Sequence, residues 1–561
     1  MKFISIIKIF VYLSYIVSFL SFLFLFYSNF LGVKNYFSQD LGFDTKIFYF
    51  VSAILFFLGF ITYRRNNLWQ KFLFFFVQFL RKHTNKLQKI QKNKTILVLF
   101  VLFFFVLFYT YLSLLRYNSF QTHVFDFGLE HQVVHFTSKG EFFYSSIEVD
   151  NYLGDHISFL ILPLSLIYKI FPSVITIFFV QSLMLSIAAY GIYLISIHVL
   201  RRFYISFVIS LMYLLFLGNS GLVLFDYHPV ALGLPFLVFG TLFFIKKNYN
   251  LGILLLIIAA LAKEEIGLYL FSISLYHFII DRLIYKKFNL KLILSAILGI
   301  GYSFFALGIL IPYFRDGMSS DTLERYSYLG TSITSIIQNT FVDPFQTLKL
   351  ILNHIYTNSY IYLLILFLPV MYLSFIRIDI LMLGAPFFIM NILSTHHGQY
   401  SGINQYDSVT SLVIFVSLIY SIKSLKNLKI KFIQILPILL LSFASSLIFH
   451  KINLTILFYR DYSKEIQFID DFKKTVEPEQ VKIVTTGPVG SRFGDVKYLY
   501  YLEEQFLHRI KDVDYLIVDQ IWSNFEKQDL VKNLVEKYNL EIYKKIPLIK
   551  IYAKKDKNID Q

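Results

Sequence analysis

Apolar runs of about twenty residues, separated by short polar connections, recur along most of the chain. A helix of that length crosses about 30 Å of hydrocarbon, so the pattern predicts an α-helical polytopic membrane protein with about thirteen transmembrane helices. The runs lie at 10–30, 48–62, 95–115, 175–195, 203–217, 229–245, 251–261, 266–280, 292–311, 361–375, 380–393, 409–422 and 432–449. The first follows Lys2 and Lys8 and lacks a small-residue cleavage site, so it reads as a retained helix. Residues 69–80 are apolar but too short to span, and fit an interfacial amphipathic helix. Residues 159–171 are also short, contain Pro163 and end at Pro172. Laid along the surface, this stretch leaves the Arg201–Arg202 pair on the same side as the other basic connections. That is the reading adopted here.

With the N-terminus in the cytoplasm, Arg64–Arg65 to Lys94, Arg201–Arg202, Lys246–Lys247, Arg282 to Lys291, Arg377 and Lys423 to Lys431 all fall inside. The acidic and His-rich connections fall outside. The expected location is the cytoplasmic (inner) membrane, with an extracytoplasmic C-terminus. From 461 onward the pattern changes. VKIVTTG, DYLIVDQ and EIYKKIPLIKIYAKK read as strands, and SKEIQFIDDFKKT and FEKQDLVKNLVEKYN as amphipathic helices. Three parts are expected: two transmembrane helices with a basic cytoplasmic segment (1–94), a transmembrane core with a large outer loop at 116–173 (95–450), and a small extracytoplasmic α/β domain (451–561). The paired broken helices of an inverted-repeat transporter are not seen.

Composition adds two constraints. The formal net charge is +16, but the positive residues sit in short connections, which argues for membrane topology and against a nucleic-acid partner. The absence of cysteine excludes disulfides, thiolate metal sites and sulfur redox chemistry.

Charged groups crowded at a membrane surface are costly to dehydrate and mark candidate sites. The densest group is in residues 116–158, where Asp126, Glu130, Asp150 and Asp155 lie among His123, His131, His135 and His156. Asp126 and Glu130 are four apart and would share a helix face. Such a pair supplies a general base or two oxygen ligands for a divalent metal, Mg or Mn; a solvated loop is the plain alternative. Asp155 of GDH is either a helix N-cap or a second site carboxylate. Asp226 and His228 of FDYHP suit proton transfer or metal binding. Lys263 and Glu264, in a charged turn between apolar runs, suit an anionic ligand and its orientation. Arg325, with Arg315, faces a polar-aromatic rim of His396, His397, Gln399, Tyr400 and Tyr406. Cations there fit a lipid phosphate, while interfacial anchoring would explain the tyrosines equally well. TTGPVGSRFGD in the C-terminal unit matches neither GxGxxG nor P-loop spacing and reads as a turn.

The motifs DFGLEHQ, LGDHIS, FDYHPVALGLP, LAKEEIGL, RYSYLG and HHGQY–QY, in this order over roughly residues 109–422, resemble the membrane proteins grouped as domain of unknown function 2079. That family is in turn distantly similar to C-type glycosyltransferases. In HHGQYSGINQYD, Asp407 and Ser408 stand after Tyr406, where the family pattern has small residues and a Pro-started helix. The resemblance implies a GT-C-like fold and an inverting transfer of sugar from a polyprenyl-phosphate donor to an envelope acceptor at the outer membrane face. In that scheme Asp126, Glu130 and Asp155 are catalytic. His156, Asp226, His228, Lys263, Glu264, Arg325, His397 and Tyr400 bind substrate, and membrane lipid is the partner. A flippase for lipid-linked saccharide and a non-catalytic envelope scaffold are the alternatives.

Overall fold

The computed structural model describes residues 94–318, 321–402, 404–427, 460–521 and 528–555. Six helices among them are long and apolar enough to cross a membrane: Lys94–Asn118, Val174–Leu200, Glu264–Leu283, Leu290–Phe314, Leu373–Leu393 and Gln405–Leu425. Two bent pairs raise the number to eight if each is one span. These are Phe203–Leu215 with Leu217–Leu224, bent by 48°, and Pro344–Ser359 with Tyr362–Val370, bent by 60°. The multi-pass helical class follows the apolar runs, ten of which lie among the described residues. Val230–Ile245 and Tyr249–Ala260, expected as spans, are helices of 16 and 12 residues. The runs at 10–30, 48–62 and 432–449 and the stretch 69–80 lie outside the described residues.

In chain order we label α1 (Lys94–Asn118), α2 (Leu129–Lys139), α3 (Ile161–Ile170), α4 (Val174–Leu200), α5 (Phe203–Leu215), α6 (Leu217–Leu224), α7 (Val230–Ile245), α8 (Tyr249–Ala260), α9 (Gly267–Leu283) and α10 (Leu290–Phe305). Val98, Leu102, Val106, Tyr109 and Leu112 of α1 recur at helical spacing and are buried. Its Phe100, Phe103, Phe104 and Leu107 are exposed, as a lipid-facing side requires. α9 and α10 approach through small residues. A Cβ on Gly267 would meet the Gly299 carbonyl oxygen at 2.5 Å, and the reverse holds, which is the close backbone contact that membrane helices obtain from glycine.

Four local expectations are corrected. The stretch between the apolar runs at 203–217 and 229–245, GNSGLVLFDYHP, is not simply a connection, since its first half is in the buried helix α6. Its Gly218 presses against Asp407 and Ser411, so small residues there serve packing instead of a turn. Asp155 does not cap α3, which starts six residues later at Ile161. The connection after α10 is not simply a loop, since it folds into α11 (Ile333–Val342) and α12 (Pro344–His354). Finally, TTGPVGSRFGD is a short helix, Gly487–Gly490, followed by a 3-10 turn, Ser491–Phe493, and both are largely buried. α3 agrees with its expectation in one respect. Ten residues make a helix of about 15 Å, too short to span, with Leu166, Ile170 and Phe171 exposed along one side.

The C-terminal unit is an α/β fold. β1 (Lys482–Thr485), β2 (Tyr498–Tyr501), β3 (Tyr515–Asp519), β4 (Leu540–Ile546) and β5 (Ile549–Lys554) form one sheet of order β2-β1-β3-β5-β4. β1 runs parallel to β2 and β3, while β5 is antiparallel to β3 and β4. Helices Ser463–Lys473 and Gln528–Lys537 accompany it. Both helices and the strands β1, β3, β4 and β5 follow the sequence pattern, but β2, in KYLYY, was not anticipated.

This unit is docked on the 116–158 region. Thr122 and Ser491 share a hydroxyl–hydroxyl bond of 2.9 Å. The Gln132 amide donates to the Val496 carbonyl at 2.8 Å, and Ser146 Oγ donates to the Leu499 carbonyl at 2.8 Å. The Arg492 guanidinium lies over the Tyr117 ring at 4.4 Å and the Phe120 ring at 5.2 Å, a cation–π arrangement whose worth grows with burial.

Candidate active site

The site is assembled at the helix ends where α1 leaves its apolar stretch. There His123 to Gly128 form a tight π-helical turn that runs directly into α2. Asp226, from the connection between α6 and α7, holds this turn. Its carboxylate accepts from Arg116 Nε at 3.2 Å and from the His123 amide at 3.0 Å, and it is also bonded by the Phe127 amide. Asp226 is 2% exposed, so these donors replace the water it has lost. The connection is itself fixed by Gln181, a lone amide in the apolar α4. The Gln181 side chain donates to the Val223 and Asp226 carbonyls at 3.2 and 3.1 Å and accepts from the His228 amide at 2.9 Å.

Asp126 sits on the turn that Asp226 holds. Burial, then the like charge of Asp226, push the Asp126 carboxyl well above the usual carboxylate range, with Arg116 opposing and Asp155 adding to the rise. Glu130, one turn further on, is 4% exposed. Its Oε1 accepts from the Tyr152 hydroxyl at 2.5 Å, and Oε2 has no partner among the described residues. Burial drives the Glu130 carboxyl far up, against the Tyr152 bond and the charge of His156. A carboxylate in such surroundings is a stronger base than usual once it has lost its proton.

The charges continue without a break from here. His156 Nε2 is 3.9 Å from Asp155, and its Nδ1 is 3.1 Å from Glu264 Oε1. The other Glu264 oxygen accepts from the Ile157 amide at 3.1 Å. Burial alone would lower the His156 pKa, yet Asp155 and Glu264 hold it up at about 9, so the imidazole is a cation at neutral pH. Lys263 pairs with Glu265 at 3.3 Å and lies over the Tyr406 ring at 5.4 Å. Arg325 faces the same ring at 5.5 Å and donates to Gln399 Oε1 at 3.1 Å. The result is a belt with a carboxyl-rich end at Asp126 and Asp226 and an end where His156, Lys263 and Arg325 are interleaved with Asp155, Glu264 and Glu265. Basic groups collect at the opposite helix ends, where Lys246, Arg201 and Lys423 surround His198.

Asp126, Glu130, Asp155, His156, Asp226, Lys263, Glu264 and Arg325 are thus brought together. The other three candidates make different contacts. His228 contributes its backbone amide, and its ring stacks on Phe225 at 5.8 Å. His397 and Tyr400 face each other at 5.3 Å, with His354 on the far side of Tyr400. In their place the fold uses Gln399 and Tyr406 of the same rim. It also uses Arg116, Tyr152, Gln181 and Glu265, which the sequence reading did not select. A Gln amid VITIFFVQSLML was a usable signal, because an amide inside an apolar helix needs partners. Tyr152 carried none. Among the described residues no three His, Cys, Asp or Glu side chains are grouped to hold a metal.

Together these features define a multi-pass membrane protein whose charged helix ends are roofed by an α/β unit. More particularly, the chain belongs to the family described as predicted membrane protein (DUF2079), whose model matches residues 116–482. The matched region holds the whole belt and reaches into β1. A search of curated proteins gave no match. Among solved structures, the chain is similar to ArnT from Cupriavidus metallidurans bound to undecaprenyl phosphate. The identity is 7% and the TM-score 0.45, with 81% of this chain and 98% of that chain covered.

Proposed function

We propose that the protein transfers a sugar from a polyprenyl-phosphate donor to an acceptor hydroxyl at the outer face of the cytoplasmic membrane, with inversion. The observation that carries this reading is the polarity of the belt. Raised-pKa carboxyls are gathered at one end, and His156, Lys263 and Arg325 stand among Asp155, Glu264 and Glu265 at the other, all at one set of helix ends. Asp126 takes the acceptor proton as the acceptor oxygen forms its bond to the anomeric carbon. The bond from that carbon to the phosphate oxygen breaks, and its electron pair leaves with the lipid phosphate. His156, Lys263 and Arg325 stabilise the departing charge, the kind of preorganised electrostatics that dominates such transfers. Glu130 orients the acceptor, and Asp155 with Glu264 keeps His156 charged. Asp226 is a positioning residue. A flippase would need its charges in mid-helix and open to both sides, whereas these collect at one end.

The test uses full-length protein in lipid with radiolabelled polyprenyl-phosphate sugars, comparing wild type with Asp126→Asn. Sugar release to water or acceptor by wild type, reduced by about 100-fold or more in the variant, supports the proposal. Lipid retention by both proteins with turnover in neither refutes it.

A further inference from the structure

A cleft of about 880 Å³ opens where the α/β unit meets the π-helical turn. One wall is His123, Phe125 and Asp126; the other is Tyr501 at the end of β2, followed by Glu503, Glu504 and Gln505. The walls come from opposite ends of the chain, so the cleft exists only because the unit is docked. Gly487 allows this approach, since a Cβ there would overlap the His123 ring. The aromatic lining is Phe125 and Tyr501, and the buried Phe506 backs both, at 5.4 Å from the Phe125 ring and 5.9 Å from the Tyr501 ring. The polar groups are ordered in one direction. The Phe125 amide donates to His123 Nδ1 at 3.2 Å, which leaves the proton on Nε2. That nitrogen faces the Tyr501 hydroxyl at 3.3 Å, and the hydroxyl is bonded in turn to Glu503. Among the described residues the lining carries the carboxyls of Asp126, Glu503 and Glu504 and neither Lys nor Arg.

We infer that this cleft is the acceptor subsite and that it takes a saccharide without negative charge, neutral or amino-substituted. The inference rests on the transferase reading above. Aromatic faces pack against the C–H faces of a sugar ring. Ionised carboxylates only accept hydrogen bonds, so they suit hydroxyl and ammonium donors and repel anions. An acceptor hydroxyl held here lies against Asp126, while the anionic donor is drawn to His156, Lys263 and Arg325 at the other end of the belt. The chemistry thus separates the two substrates by charge.

The experiment measures equilibrium binding of three soluble probes to the full-length protein in lipid nanodiscs without donor: a neutral N-acetylglucosamine trimer, a glucosamine trimer and a galacturonic acid trimer. The first two are expected to bind at least about tenfold tighter than the third. In a Glu503→Gln, Glu504→Gln double variant that preference is expected to shrink to about threefold or less, and Phe506→Leu is expected to weaken all three. Glu504 is exposed on the rim, so Glu504→Gln alone keeps the test valid if the other variants misfold. Equal or tighter binding of the anionic trimer overturns the inference, as do no binding of any trimer and a preference unchanged in every glutamate variant. Donor turnover is followed separately. Saccharide binding without turnover refutes the transferase reading and leaves the cleft standing, while turnover without saccharide binding does the reverse.

Discussion

Asp226→Asn separates the electrostatic role of this buried acid from its structural one. The amide keeps the shape of the side chain but removes its charge, and one of its two oxygens becomes a donor. Asp226 accepts from Arg116 Nε and from the His123 and Phe127 amides, so at least one of these bonds must be lost. A hydrogen bond to a charged group is worth about 1.5–3 kcal/mol. Arg116, whose side chain is 19% exposed, also loses its counter-ion, and we expect a total destabilisation of roughly 3 kcal/mol. The effect on Asp126 is more specific. Burial raises its pKa most, the Asp226 charge comes next, and Arg116 opposes both. With Asp226 neutral, the repulsion disappears and Arg116 acts on Asp126 alone, so the Asp126 pKa must fall. A general base works only when deprotonated, and the acidic limb of the pH–activity profile therefore moves to lower pH, by roughly one unit for about 1.4 kcal/mol of lost repulsion. The assay is sugar release from a polyprenyl-phosphate sugar across the pH range, normalised to each protein's own maximum. An acidic limb that stays in place or moves up would refute the pairing of Asp126 with Asp226, whatever happens to the maximal rate.

Three further outcomes are expected. Because the chain has no cysteine, a Thr122→Cys, Ser491→Cys pair should form an interface disulfide without background; absence of the crosslink under oxidation would contradict the docking. Gly487→Ala should destabilise the docked unit by about 1–3 kcal/mol through overpacking, read as faster maleimide labelling of Ser491→Cys in its presence, and an unchanged labelling rate would count against the contact with His123. Glu130, with its pKa raised in the folded protein, contributes stability that is full below its unfolded pKa and is lost as pH rises through the folded value. Glu130→Gln cannot ionise, so its thermal stability should gain on wild type as pH rises above the ordinary carboxylate range; parallel curves for the two proteins would contradict the buried-carboxyl assignment.

The amino-acid sequence carried the multi-pass helical class, because hydrocarbon thickness fixes the length of an apolar run and the cost of burying charge confines polar residues to the ends. It carried the candidate carboxylates for the same reason, as Asp126, Glu130 and Asp155 stand out against an apolar background. It could not say that Asp226 would reach Arg116, 110 residues away, or that His156 would meet Glu264. Those pairings depend on how α1, α4 and the α6–α7 connection pack, and no local pattern encodes that packing. The same limit explains the buried α6, whose small residues look like a turn until Asp407 and Ser411 are seen against Gly218. TTGPVGSRFGD shows the limit most clearly. Glycine and proline predict a turn from backbone freedom, but here the glycines admit the His123 and Val124 side chains, a purpose visible only once two distant segments are in contact. Chain chemistry alone therefore determined which groups must avoid lipid. Tertiary packing decided which of them meet, because pairing energies at buried charges depend on distance and dielectric rather than on separation along the chain.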